Sequence, residues 1–504
     1  MEYLLGIDFG GSSSKATLID GNGDIVCTVS REYPMHYPQD GWCEQSAEDC
    51  YGALVANIRT IFTKSGVDPK AIRAMAVDSA THMAVLLGKD DMPLRNVIHW
   101  SDRRSEQESQ WLNANLLPQL RRLCLNQPSP LWTLPQLMWL KTHEPEILAK
   151  TSKLLFMKDY IRHRLTGDYF TDRIEAMGAM LMDEEKGCWS QELCVLAGLD
   201  ISVMPELREP TDFAGYPTAQ ACAETGLSPE TKIIIGTTDT ALEVYASGSI
   251  HPGQATVKLA TAGRICPVTD HGLCHEMLVN YRHVVPGMWY PGTANKTCAA
   301  SYRWYRDLLC QPEMAEAKKR GMDAYEVMNE AAILTPPGAD GLVFHPYLQG
   351  ESTPYMDNNL RASFVGVSSY HTKGHFSRAV MEGVCFSLRD SLSLLKKLGV
   401  APESANIIGG GGKSPLWSQM TADILNLPLR KAKSDDSSLG SAMLAGVACG
   451  VFDSFDDSVA KCARPDRIYT PNPENVEIYD GYFARYKAIH DALAPIYSRD
   501  WSKK

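Results

Sequence analysis

Asp8 stands two residues before Gly10-Gly11-Ser12-Ser13-Ser14, small residues that let a backbone approach a polyphosphate and present N–H and hydroxyl donors to it. A carboxylate beside such a turn can hold hydrated Mg2+, an ion that keeps most of its waters and takes few protein ligands. The same residues also read as a tight hairpin with an Asx-turn, so both readings stay open on this piece alone. Asp239, in Ile233-Ile234-Ile235-Gly236-Thr237-Thr238-Asp239-Thr240, reads as the end of an apolar strand whose side chain projects into a cleft. There it can accept the proton of a hydroxyl while a phosphoryl group moves in line to that oxygen; an aspartate so placed also serves as a helix N-cap. Two further small-residue turns are Thr261-Ala262-Gly263 and Gly409-Gly410-Gly411-Gly412. The second lies between an apolar strand and a helix opened by Ser414 and Pro415, an arrangement that tolerates anions.

The elements that must position these residues follow from the pattern. Tyr3 to Phe9 reads as a strand, Lys15 to Asp20 as its return, and Gly21-Asn22-Gly23-Asp24 as a hairpin turn before Ile25 to Val29. A P-loop or dinucleotide fold would pass from its glycine turn straight into a helix, so the antiparallel return excludes both. A helix over Ser46 to Lys64 and a buried strand over Ile72 to Val77 follow, the latter leading into Asp78-Ser79-Ala80-Thr81-His82. Strands and helices alternate to about residue 245, as in an α/β domain. Strand, small-residue turn and strand then recur from Gln254. The chain therefore divides into residues 1–248 and 249–504, with Gly248 and Gly253 as hinge candidates. The second part holds a long helix over Phe376 to Leu398, a strand over Ser404 to Ile408 and a helix near Ala484 to Ala494.

The 504 residues exceed what one hydrophobic core organises, and 44% apolar with 22% charged residues is ordinary for a globular chain. A net charge of −11 without a basic block argues against a nucleic-acid partner. The 14 cysteines are dispersed without a CxxC pair, which predicts reduced, mostly buried thiols. With no secretory leader and no long apolar run, the expected location is the cytoplasm, away from membranes.

Several stretches together resemble the FGGY family of carbohydrate kinases, from residue 3 to about 452. Thr133-Leu134-Pro135-Gln136-Leu137-Met138-Trp139-Leu140-Lys141-Thr142-His143-Glu144 is similar to the family's first signature, with Gln136 where lysine is usual. Ala362 to Val367 and, seven residues on, His375 to Glu382 fit the second. Gly41-Trp42-Cys43-Glu44-Gln45, Trp100-Ser101-Asp102-Arg103-Arg104, Lys158-Asp159-Tyr160, Leu165-Thr166-Gly167 and Gly350-Glu351-Ser352-Thr353-Pro354 fall in the family's order. The resemblance implies an α/β fold of two actin/hexokinase-like (ribonuclease H-like) lobes with ATP and a sugar in the cleft between them. It implies Asp239 as general base, and Asp8 and Asp239 near Mg2+. It assigns Gly10, Gly11, Ser12, Ser13, Lys15, Thr261, Gly263, Gly409, Gly410, Gly411, Gly412 and Ser414 to the nucleotide. A homodimer would be ordinary for the family.

Within the family the chain looks most like the xylulokinase branch, which implies phosphorylation of D-xylulose to D-xylulose 5-phosphate. His82, Thr81, Asp102, Arg103, Trp42 and Thr240 are the substrate-side candidates. Ala80-Thr81 stands where that branch carries Gln-Met, and Thr240 where it carries Asn, so another pentulose, a pentitol or gluconate is the alternative substrate. His82 also reads as a core histidine bonded to backbone, Trp42 and Trp100 as packing residues, and Asp102 with Arg103 as a surface ion pair. A non-catalytic actin-like ATP-binding or sugar-sensing protein is the rival of another class. It would call for an appended peptide-binding domain or a basic helix-turn-helix, and neither is read in the sequence.

Overall fold

The computed structural model describes residues 2–499. Its first sheet is built from β1 (Tyr3–Phe9), β2 (Ser13–Asp20), β3 (Ile25–Glu32), β4 (Ile72–Ser79), β5 (Phe213–Gly215) and β6 (Lys232–Ile234), in the spatial order β5-β6-β4-β1-β2-β3. β1 to β3 form the antiparallel meander read from the sequence, and β4 joins β1 in parallel. Helices cover both faces, which is why the central strands are nearly continuously apolar. Leu5, Ile7 and Phe9 pack with α1 (Ala47–Ser65), whose first turn is capped by the Ser46 hydroxyl accepting from Asp49 N–H.

After α2 (Met157–Thr166), α3 (Asp239–Ala246) leads out of the first lobe toward the second sheet. That sheet comprises β7 (Gln254–Leu259), β8 (Gly263–Pro267), β9 (Ser404–Ile408), β10 (Leu429–Ala432) and β11 (Pro465–Tyr469), in the order β8-β7-β9-β10-β11. Its core includes α4 (Lys373–Lys397) and α5 (Pro415–Leu425). The strand, turn, strand opening thus occurs in both lobes, each time with a parallel third strand beside the first. Both long helices of the second half begin earlier than the sequence pattern suggests, α4 at Lys373 and the last helix at Pro473, where capping and not apolar spacing sets the start.

α6 (Ser437–Cys449) belongs to the second half by sequence but packs on the first sheet, where Leu439, Ala442 and Met443 join the core around Leu4 and Ile19. Gly6 permits it: a Cβ there would lie 1.9 Å from the Ser438 carbonyl oxygen. Gly440 likewise admits α3, since its Cβ would stand 2.4 Å from the Leu242 carbonyl oxygen. The two crossing helices meet through missing side chains, so the lobes share a close-packed floor.

Candidate active site

The register of β1 and β4 pairs Asp8 with Asp78, which sets two carboxylates side by side on the face that α6 covers. Ser441 Oγ donates to Asp78 Oδ2 at 2.5 Å, and Ser437 bonds Asp8. Burial pushes both carboxyls up, Asp8 to about 7 against the opposing hydrogen bond from Asp78, while Asp8 adds to the rise of Asp78. Asp239 adds its own negative field. The sequence analysis passed over Asp78; its place at the end of the strand that pairs with β1 was the available signal.

Asp239 does not end a strand: β6 stops at Ile234, and Asp239 is the first residue of α3, one past the cap at Thr238. Gly236 turns the intervening loop under β4 at φ +72°, with no room for a Cβ beside the Val77 carbonyl oxygen at 2.2 Å. The Asp239 carboxylate accepts from Thr240 N–H at 2.6 Å and from the Thr240 hydroxyl at 3.2 Å. Burial raises it to about 6, with Lys258 opposing and Glu243 adding to the rise. Lys258 is itself paired with Glu243 at 2.6 Å.

A buried charge network holds this loop. Arg162 donates to the Ile235 carbonyl and pairs with Asp159, each at 2.8 Å, while Lys158 bonds Asp159 at 2.5 Å and Asp172 at 2.8 Å. Thr237 Oγ1 donates to Asp172 at 2.7 Å. Lys158 and Asp159 are therefore supports for the loop that ends in Asp239, whereas Tyr160 bonds Glu48 and Thr166 bonds Asp168. The network also fixes His82, whose N–H donates to Glu175 Oε1 at 2.6 Å and whose carbonyl accepts from Thr133 Oγ1 at 2.6 Å. These bonds hold His82 at φ +69°, a conformation costly for a residue with a Cβ. Its ring is no core histidine bonded to backbone: Nε2 meets the Tyr281 hydroxyl at 2.8 Å, and the rings stack with centroids 5.6 Å apart. Burial keeps the imidazole neutral, down to about 3. Thr81, beside it, bonds the same tyrosine. Gly178 clears the space, because a Cβ would lie 1.8 Å from the His82 ring.

The remaining substrate-side candidates separate. Asp102 is not in a surface pair with Arg103. It is buried and accepts from Cys43 N–H at 2.6 Å and from Arg104 at 2.8 to 3.0 Å. Trp42 covers the Arg104 guanidinium at 3.8 Å, and Arg103 alone is exposed, on the side of Lys296.

In the first turn the carbonyls are held by protein: Tyr33 hydroxyl bonds Gly10 and Ser13, Gln45 bonds Gly10 and Gly11, and Tyr33 N–H bonds Ser12. Among the described residues the N–H groups of Gly11 and Ser12 meet no backbone carbonyl, so the donor side of the turn is available. Lys15, opposite Asp8 on β2, reaches Asp436 before α6 at 2.7 Å. In the second turn Cys298 N–H and Ala299 N–H hold the Thr261 and Ala260 carbonyls, and Gly263 pairs with Asn295. Gly350–Pro354 sits behind it, with Glu351 accepting from Lys296 N–H and Ser387 and pushed up to about 7 by burial. Gly409, at φ +87°, and Gly411 press on the end of β7, where a Cβ on either would come within 2.7 to 2.8 Å of Leu259, whereas Gly410 faces open space. Gly412 is buried, and Ser414 caps α5 by accepting from Trp417 N–H at 3.3 Å.

Asp8 and Asp78 thus lie under α6, Asp239 opens α3, which crosses α6 at Gly440, and Gly409 and Gly411 press on the end of β7, the strand that carries Lys258. No helix among the described residues is long and apolar enough to cross a membrane. The chain matches the FGGY family of carbohydrate kinases, N-terminal domain, over residues 3–245, and the C-terminal domain over residues 254–449. It is 32% identical to a xylulose kinase of Bacillus subtilis over 499 residues, covering 97% of each chain. It is 30% identical to a gluconokinase of the same organism, over 95% of this chain and 93% of the other. The solved xylulose kinase of Rhodospirillum rubrum superposes with a TM-score of 0.89 at 28% identity, over 99% of this chain and 100% of that one. With both family domains matched in order and a relative 32% identical over nearly its whole length, the chain belongs to the FGGY family of carbohydrate kinases and is a sugar kinase.

Proposed function

We propose that the protein transfers the γ-phosphoryl group of ATP to a hydroxyl of a small sugar, with Asp239 as general base, in the cytoplasm. The observation that carries this is the Asp239 carboxylate, raised to about 6 at the start of α3 between the two lobes. A base with that affinity is ionised at neutral pH and closer to the proton it must accept than an ordinary carboxylate. Asp239 takes the hydroxyl proton as the sugar oxygen forms its bond to phosphorus, and the bond from phosphorus to the ADP oxygen breaks.

The fit to ATP rests on the glycines: Gly410 opens on space, and Gly409 and Gly411 allow the two turns of the second lobe to approach closely. The open N–H groups of Gly11 and Ser12 and the side chain of Lys15 suit phosphates from the first lobe. Asp8 and Asp239 would hold Mg2+, with Asp78 behind Asp8; when bound, the ion neutralises phosphate charge.

D-xylulose, giving D-xylulose 5-phosphate, is supported by the xylulose kinases among the relatives and by His82, whose ring bonds Tyr281. A second reading, a sugar acid such as gluconate, is favoured by the gluconokinase similarity and by the Arg264 guanidinium, whose charge acts on His82. ADP release with Mg-ATP over D-xylulose, other pentuloses, pentitols, glycerol and gluconate tests the reading. One substrate far above the ATP-only background supports it, and none doing so would count against catalysis.

A further inference from the structure

β8 alternates between two environments. Ile265 points into the core of the second lobe, whereas Cys266 faces the core of the first, and Arg264 is on the Cys266 side. Arg264 therefore shares a face with Lys258, its register partner on β7, and its charge acts on Tyr281, Tyr290 and His82. Among the described residues it has no hydrogen bond and no ion pair. The carboxylate that acts on it, Glu243, is bound to Lys258 at 2.6 Å.

Three arginines that are buried outright are each paired with carboxylates. Arg104 meets Asp102 and Glu44, each at 2.8 Å; Arg162 meets Asp159 and Asp168, each at 2.8 Å; and Arg378 meets Glu382 at 2.7 Å. Arg264 is half-buried and unpaired, so its guanidinium keeps an open side on which a ligand can replace water. Its planar fork matches a carboxylate in two parallel hydrogen bonds. The ATP phosphates are a poorer match, because Lys258 and not Arg264 is the cation that weighs most on Asp239, where the phosphoryl group moves.

We propose that Arg264 is the receptor for a carboxylate of the sugar, so that the preferred substrate is a sugar acid and not a neutral pentulose. The inference rests on the kinase reading above and decides between its two substrate classes. A neutral ketose leaves the guanidinium unsatisfied, whereas a carboxylate at the end remote from the phosphorylated hydroxyl pairs with it. Truncating one partner of such a charged pair costs one to two orders of magnitude in affinity.

The test uses the full chain with Mg-ATP and compares D-xylulose with five- and six-carbon aldonates, D-xylonate and gluconate. Calorimetric titration of each aldonate without nucleotide accompanies it. The expected result is a kcat/KM at least about tenfold higher for one aldonate than for D-xylulose. Arg264→Met is expected to raise that aldonate's KM and Kd by about 10- to 100-fold and abolish the preference, with Arg264→Lys restoring part of it. Turnover of D-xylulose with no binding of aldonates overturns the inference and leaves the kinase reading intact. An equal fall of kcat for acid and neutral sugars in Arg264→Met also overturns it, by assigning the guanidinium to the phosphoryl group. Aldonate binding that depends on Arg264, without turnover of any sugar, keeps the inference and sinks the kinase reading. Should Arg264→Met fail to fold, Arg264→Lys and the wild-type preference decide the matter.

Discussion

The two lobes make the same strand, turn, strand unit and equip it in opposite ways. The first turn is flanked by carboxylates, Asp8 and Asp78, and its carbonyls are held by side chains, Tyr33 and Gln45. The second is held by backbone groups at the start of the helix from Ala299 and is pressed by the glycines of a neighbouring turn. One lobe supplies charge and the other shape. Under the proposed function both are needed, charge for the proton and close backbone approach for the phosphates.

The comparison breaks most sharply at Asp239. Asp239→Asn keeps the side chain's size but cannot take a proton, so kcat is expected to fall by about 10²- to 10⁴-fold with ATP affinity nearly unchanged. Turnover by coupled ADP release and titration with a non-hydrolysable ATP analogue separate the two. Near-normal turnover would remove the base from the charged lobe.

Shape is tested by glycine. Gly409→Val brings a Cβ to 2.7 Å from the Leu259 carbonyl oxygen at φ +87°, and is expected to destabilise the protein by about 2–4 kcal/mol in urea unfolding. Gly410→Ala meets nothing within 4 Å, and Gly11→Ala would stand 3.5 Å from His99 in ordinary contact, so both are expected to fold normally. If all three destabilise equally, the second turn is no more constrained by packing than the first.

This difference explains what the sequence could reveal. The meander, α1 with its Ser46 cap, and Ser414 before α5 were legible because alternation and capping are local. Asp8 and Asp239 were legible as acids next to small residues. Asp78 was not, because its meaning comes from the register of β4 on β1, and Arg264 and Tyr281 were not, because their proximity to His82 joins both halves of the chain. The crossing of α6 was equally hidden: its small residues read as an ordinary apolar helix until Gly6 gives them a partner. Asp239 was placed on a strand for a related reason, since Ile235 extends the apolar run but is held by Arg162, outside any ladder.

Protons sharpen the contrast. In the first lobe, burial raises Asp8 to about 7, whereas in the second it lowers His345 to about 4. His345 is buried, bonding Ser363 and the Tyr486 carbonyl, each at 3.1 Å. Its folded-state value lies below the unfolded 6.5, so between these values the unfolded chain binds the extra proton. The histidine's contribution to stability is complete above 6.5 and is lost as pH falls toward 4. At pH 5 the loss is about 2 kcal/mol. His345→Gln, followed by urea unfolding from pH 7 to 5, is expected to show a shallower decline than wild type. An unchanged slope would mean that this histidine does not report the second lobe's response to acid.

The smallest expected effect in stability lies where the lobes meet at the surface. Lys15 and Asp436 pair at 2.7 Å across them, but their side chains are 38% and 27% exposed, so water and salt screen the attraction. Lys15→Met is therefore expected to cost no more than about 1 kcal/mol. The effect on nucleotide is expected to be larger, because Lys15 lies opposite Asp8 and its ammonium is the cation beside the first turn. A several-fold rise in the KM for ATP that shrinks at high salt would place Lys15 on the phosphates. If stability falls slightly and the KM does not move, Lys15 is a strut to Asp436, and the proposed phosphate contacts of the first turn are left to its backbone alone.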